Sequence, residues 1–260
     1  MAEAGLDEGA EVCNVAAASD DTSATAAKRR GRPRASSSQG DEQRAAILRA
    51  AARLFREQGY DKVSMTAVAR EVGLKQSSLY YWFKSKEQLL DEVLVDGFNS
   101  CSFKGAIFRA QGVPAAQRLY ALLFRRMAKF CGLPVDVFAA ETVADANPQV
   151  LRHFFGEFEA YQGKLRVLVE EGCASGELRD VPVDDALEMV LSVVLTQQHL
   201  CHRQQAGASV SCVGSGDARD GVLCWARRAA RLAMSMLLAD PAQLDAIEAA
   251  AHSQGWLQLS

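Results

Sequence analysis

Apolar side chains recur along this chain at three- and four-residue spacing, and no strand-like alternation stands out. Helices are therefore predicted throughout, an all-α fold. The first is expected from about Asp41 to Gln58, with Ile47, Leu48, Ala51, Leu54 and Phe55 forming one apolar face and Gly59 ending it. Ser64 or Thr66 opens a second, running to about Val72, and Gly73 makes the turn because a left-handed backbone costs glycine little. A short third helix begins at Gln76 or Ser77 and ends by Phe83, with Leu79 and Phe83 four apart and pointing inward. Ser85 is placed to cap a fourth helix that continues toward Phe98. Further helices are expected over 115–131, 134–145, 148–175, 184–205, 219–239 and 241–252. Residues 206–216 are expected to form a long loop.

Composition narrows the picture. A chain of 260 residues, half of them apolar, can build one sizeable domain or two small ones. No apolar run is long enough to cross a bilayer, and the acidic, polar start does not resemble a signal peptide. Residues 1–27 are too poor in large apolar side chains to order themselves. Seven cysteines, widely spaced and without a CxxC pair, fit reduced thiols in a cytoplasm. The net charge of −3 hides an asymmetry: residues 28–90 hold fourteen Lys and Arg against six Asp and Glu, a balance of +8 that leaves −11 for the remainder. A basic module on an acidic body points to a polyanionic partner for the module alone, although a solvated charged face has the same composition.

The motif decides between these. The third helix carries Gln76, Ser77, Ser78, Tyr80, Tyr81 and Trp82 together, an unusual mixture for a surface helix. Around it stand Phe55, Gly59 and Tyr60, Thr66 with Val68 and Ala69, Gly73 and Leu74, then Ser78-Leu79-Tyr80-Tyr81 and Phe83-Lys84-Ser85-Lys86-Glu87-Gln88-Leu89-Leu90. This string, covering about a fifth of the chain at fixed spacing, resembles the DNA-binding domain of the tetracycline-repressor (TetR) family of bacterial regulators.

The resemblance implies an N-terminal three-helix helix-turn-helix DNA-binding domain and a C-terminal helical ligand-binding and dimerisation domain. The expected organisation is a tail over 1–40 with a basic arm at 28–34, a DNA-binding domain over 41–101 with its motif at about 64–83, and an effector and dimerisation domain over 102–260. By matching position, Gln76, Ser77 and Ser78 face bases, while Tyr80 and Tyr81 reach phosphates or thymine methyls. Tyr80 has the alternative of packing on the first helix, and Trp82 is assigned to packing. Thr66, Lys75, Lys84 and Lys86 are assigned to phosphates. Arg30, Arg32 and Arg34, in the Arg-Gly-Arg-Pro arm, suit a narrow minor groove or act as an electrostatic tether.

The resemblance further implies a homodimer on a palindromic operator, joined by a bundle of the last two long helices. Leu187, Val190, Leu191, Val194 and Leu195, then Leu223, Ala226, Ala230, Ala233 and Leu237, would face that bundle, with plain intrachain core as the alternative for some of these positions. It also implies an unknown small-molecule effector. Tyr120, Met127, Phe130, Phe138, Glu141, Phe154, Phe158, Tyr161 and Gln198 are the candidate lining, each also readable as core or, for Glu141, as ordinary surface. His199, Cys201 and His202 lie close together but lack further ligands at metal spacing, so no metal and no cofactor are expected. Nucleophile elbow, phosphate loop and HExxH helix are all absent from the sequence, which leaves no enzyme to expect. The implied protein is a cytoplasmic, nucleoid-associated repressor released by its effector. An activator or dual regulator on the same fold, and a low-specificity architectural DNA binder, are the alternatives.

Overall fold

The computed structural model describes residues 37–99, 104–147, 149–207 and 218–258. Arg30, Arg32 and Arg34, the tail around them, and most of the 206–216 loop lie outside the described residues. Among the described residues there are eleven α-helices, one 3-10 turn at Pro241–Gln243, and a single antiparallel bridge between Leu178 and Leu238. The chain is all-α, an N-terminal helix-turn-helix unit followed by a C-terminal helical body.

The first four helices are α1 (Ser37–Gln58), α2 (Met65–Glu71), α3 (Gln76–Trp82) and α4 (Lys86–Asn99). α1 starts a turn earlier than the sequence predicts, and its first turn has a neighbour there: a Cβ on Gly40 would lie 3.6 Å from the Trp82 ring. Ile47, Ala51, Phe55, Val68, Ala69, Leu79 and Phe83 close the small core. α4 belongs to both halves. It packs on α1 on one side and on α6 (Ala115–Phe130) and α8 (Arg152–Ala174) on the other. The other helices are α5 (Lys104–Phe108), α7 (Val137–Ala146), α9 (Val183–Gln205), α10 (Ala218–Leu237) and α11 (Leu244–Ser253). α5 was not foreseen.

α6 is the central rod, touched by α4, α5, α8, α9, α10 and α11 and buried on nearly every side. Ala226, Ala229, Ala230 and Ala233 of α10 are wholly buried within the single chain. Small residues there let α10 approach α6, its main neighbour. Intrachain core, not a stripe reserved for a second copy, is therefore what these alanines form. Among the described residues, Cys131, Cys173 and Cys201 are free thiols.

The boundaries that moved have local causes. α7 begins at Val137 because Asp136 caps it, its carboxylate accepting from the Ala139 N–H at 2.8 Å. α8 begins only at Arg152 because Leu151, the residue before it, is left-handed with φ +62° and has no side chain able to cap. A residue from α4 does that work. The buried Asp91 carboxylate accepts from the Phe154 N–H at 2.9 Å, and its other oxygen lies 2.6 Å from His153 Nδ1. Asp91→Ala leaves a buried N–H without an acceptor and is expected to lower stability by about 1–3 kcal/mol. Urea unfolding at neutral pH checks this, with Asp91→Asn losing less; a loss equal to that of an exposed-site control would contradict the cap.

Candidate nucleic-acid interface

The reading helix is aimed by the turn before it. Gly73 is left-handed at φ +65°. The Leu74 N–H donates to Ala69 O at 2.8 Å, and the Gly73 N–H donates to Arg70 O at 3.1 Å. This paired closure ends α2 and sends the chain into α3. Ser64 starts α2 by accepting from the Ala67 N–H at 3.2 Å. Ser85 starts α4 by accepting from the Gln88 N–H at 3.1 Å, and the Gln88 side chain accepts from the Lys84 N–H at 2.7 Å. The two helices flanking α3 thus have fixed ends.

On α3, Leu79 is wholly buried, as is Phe83 just beyond it. The opposite surface is open: Gln76, Ser77 and Ser78 are exposed, Tyr80 is 39% exposed and Tyr81 75%. A tyrosine three-quarters exposed is an uncommon use of a large ring in a protein this size. Trp82 is half-buried, edge-on to Tyr81 at 5.5 Å, consistent with packing. Lys75 and Thr66 are exposed at the starts of α3 and α2. Lys84 is exposed with its ammonium donating to Tyr80 O at 3.1 Å. Lys86 is half-buried, donating to Asp61 O at 3.3 Å and lying 4.1 Å from the Tyr60 ring centre. Its assigned phosphate role would have to draw it off both partners. Burial, then the Glu87 and Asp61 charges, push the Tyr60 phenol up.

The candidate effector residues separate into groups. Phe130, Phe154, Phe158 and Tyr161 all surround Phe98, at ring-centre distances of 5.8, 5.8, 6.4 and 6.2 Å. Sequence reasoning missed two members of this cluster. Phe98 is its hub, and the buried Arg126 places its guanidinium carbon 3.6 Å from the Phe98 ring centre and 4.4 Å from that of Tyr161. Two adjacent arginines inside the apolar stripe of α6 were the signal in the sequence. The other, Arg125, ties down the chain end through Trp256 O at 3.0 Å.

Gln198 is buried and bonded at both ends of its amide, accepting from the Val137 N–H at 3.2 Å and donating to Phe130 O at 3.3 Å. Met127 is buried beside the cluster residues on α6. Phe138 and Glu141 are exposed on α7 and do not join them. Tyr120 is buried elsewhere, where burial and then Glu248 raise its phenol. A groove of about 520 Å³ near Glu248, lined by Arg227, Asp245, Ala249, His252 and Leu257, is crossed by the Arg227–Glu248 pair at 2.6 Å. His199 pairs with Asp136 at 2.8 Å, and among the described residues no group of three or more His, Cys, Asp or Glu could hold a metal.

Comparison with known proteins agrees with this geometry. The sequence profile of bacterial regulatory proteins of the tetR family matches residues 47–93. The HTH-type transcriptional regulator LmrA of Bacillus subtilis is 30% identical over 158 residues, spanning 55% of this chain and 79% of that protein. The HTH-type transcriptional repressor KstR2 of Mycolicibacterium smegmatis is 39% identical over 59 residues, 23% of this chain and 29% of that protein. The solved structure of the transcriptional regulator FadR from Bacillus subtilis, in complex with stearoyl-CoA, superimposes with a TM-score of 0.57 at 16% identity, covering 74% of this chain and 98% of that one. Fold and motif define a helix-turn-helix transcriptional regulator. The chain belongs to the TetR family.

His202 lies behind the aromatic cluster, with Nε2 3.2 Å from Phe130 O. Burial holds its pKa below the ordinary imidazole value of 6.5. Protonation then favours the unfolded chain, so this stability is present above about pH 6.5 and is lost as pH falls below it. Thermal unfolding at about pH 7.5 and about pH 5.5 is expected to show a larger acid loss in the parent protein than in His202→Gln. Equal losses would remove His202 from the account.

Proposed function

We propose that this regulator is a homodimeric repressor, acting on DNA in the cytoplasm, that leaves a palindromic operator when a small molecule binds its C-terminal helices. The observation that carries the reading is the face of α3: Gln76, Ser77, Ser78, Tyr80 and Tyr81 stand exposed while Leu79 is wholly buried. A helix of this length fits the major groove and offers hydrogen-bonding side chains near its start. Thr66, Lys75, Lys84 and Lys86 surround that face and supply phosphate contacts, with Arg30, Arg32 and Arg34 as a further arm. Residues 41–101 act as the reading head and 102–260 as the effector and dimerisation body.

One such helix makes few base contacts, and a two-fold pair doubles them. Leu191 and Leu195 of α9 are partly exposed and Leu232 of α10 is 40% exposed, which leaves apolar surface on these helices for a second copy. KstR2 is named a repressor and FadR was solved with stearoyl-CoA. Both names support repression and ligand response here by kinship.

Selection of bound sites from random DNA, followed by fluorescence anisotropy, tests the reading. Gln76→Ala is expected to cost about 1–3 kcal/mol at the selected site and to relax the preference at one base pair. Lys84→Ala is expected to weaken all sequences alike and to lower the salt slope by about one. Recovery of no preferred sequence would instead mark an architectural binder, and tight binding of one unrepeated half-site by a monomer would refute the dimer.

A further inference from the structure

We propose that Arg126 and Tyr161 recognise the carboxylate of an otherwise apolar effector, and that this carboxylate acts by competing for the guanidinium that holds α4. The inference rests on reading the C-terminal helices as an effector body. Its starting point is a cluster of five rings, Phe98, Phe130, Phe154, Phe158 and Tyr161, with a permanently charged group set against it. Arg126 is 4% exposed, so its charge was taken out of water to reach this position. The Tyr161 hydroxyl is also buried; among the described residues it makes no well-formed hydrogen bond, although the Arg126 guanidinium lies close enough to stabilise its oxygen. A buried polar atom without a well-formed bond is uncommon enough to call for a reason. Burial pushes the phenol up to about 12, against the lowering effect of the Arg126 charge, so the hydroxyl stays a donor at neutral pH.

Two donors therefore sit together among buried aromatic rings, one of them cationic. A carboxylate matches them: the planar guanidinium is shaped for its two oxygens, and a phenol donor adds a third bond. A cation is repelled at the same place. A neutral hydroxyl forgoes the opposite charge and the second oxygen that the planar guanidinium is shaped to hold. Phe130, Phe154 and Phe158 would receive the apolar body.

Competition supplies the switch. Arg126 Nη1 donates to Phe98 O at 2.9 Å, in the last turn of α4. An incoming carboxylate is a stronger acceptor than that carbonyl and draws on the same donor group. The end of α4 then loses a hold, and α4 is the helix packed on α1 of the reading head. The ligand shifts the equilibrium only by its preference for the loosened state.

Decanoate and decanol, one carrying the charge and the other not, are the probes. Calorimetry on the full chain is expected to show decanoate binding at least tenfold more tightly than decanol. Arg126→Gln is expected to weaken decanoate about 10- to 100-fold. Tyr161→Phe, which removes only that hydroxyl and is expected to fold, should weaken decanoate a few-fold and leave decanol unchanged. Operator titrations on the same preparations should show release by decanoate alone. Equal binding of the two probes, no binding of decanoate, or unchanged affinity in both variants would overturn the site. Decanoate bound without operator release would overturn the competition. The titration without probe stands apart: loss of sequence preference there contradicts the regulator reading, whatever decanoate does.

Discussion

The fold turns on how α4 is held. Its middle offers Asp91 to the bare N-terminus of α8, and its last turn offers the Phe98 carbonyl to Arg126 of α6. Both contacts are hydrogen bonds to backbone made by a charged side chain in a buried place. Bonds of this kind are stronger than neutral ones, and losing one partner strands a buried polar group. Around them, Leu89, Leu90, Val93 and Leu94 seal the helix against its neighbours. The reading head is carried on the near side of this helix, so the position of α3 depends on contacts made by α6 and α8. Arg56 of α1 adds a direct tie, donating to Gly132 O at the end of α6.

A buried arginine is costly unless its surroundings compensate. Here the compensation includes the Phe98 carbonyl and the faces of Phe98 and Tyr161, each face contributing up to about 2 kcal/mol when desolvated. Leucine there would bury no charge, but it would leave the Phe98 carbonyl without this donor. What leucine could not supply is a directional grip on α4 that a competing acceptor can loosen. The head has the opposite character: Gln76, Ser77, Ser78 and Tyr81 stay in water, while Leu79, Phe83 and the turn at Gly73 hold the helix beneath them. Rigid scaffold beneath and open polar surface above is the arrangement a reading helix needs.

Much of this was legible in the sequence wherever the cause was local. The Leu79–Phe83 spacing gave the buried side of α3, Gly73 its turn, and Ser85 the start of α4. Failures came where the cause was distant. Nothing near Leu151 announces that α8 begins at Arg152, since the cap is on Asp91 in another helix. The Arg126–Phe98 contact joins two helices and has no sequence signature beyond a cation in an apolar stripe. Phe138 and Glu141, named as candidate lining with core or ordinary surface as the alternative, are exposed on α7. The alanines of α10 announced close packing but not its partner, which is α6 of the same chain.

The central claim is that α4 and the first turn of α8 move as one body, linked through Asp91. Native-state hydrogen exchange, followed by peptide across residues 86–99 and 152–156, tests it most directly. The account predicts that the Phe154 amide and the core amides of α4 share one opening free energy, and that Asp91→Asn lowers both together. Exchange of Phe154 at a rate unrelated to α4, unmoved by that substitution, would contradict it.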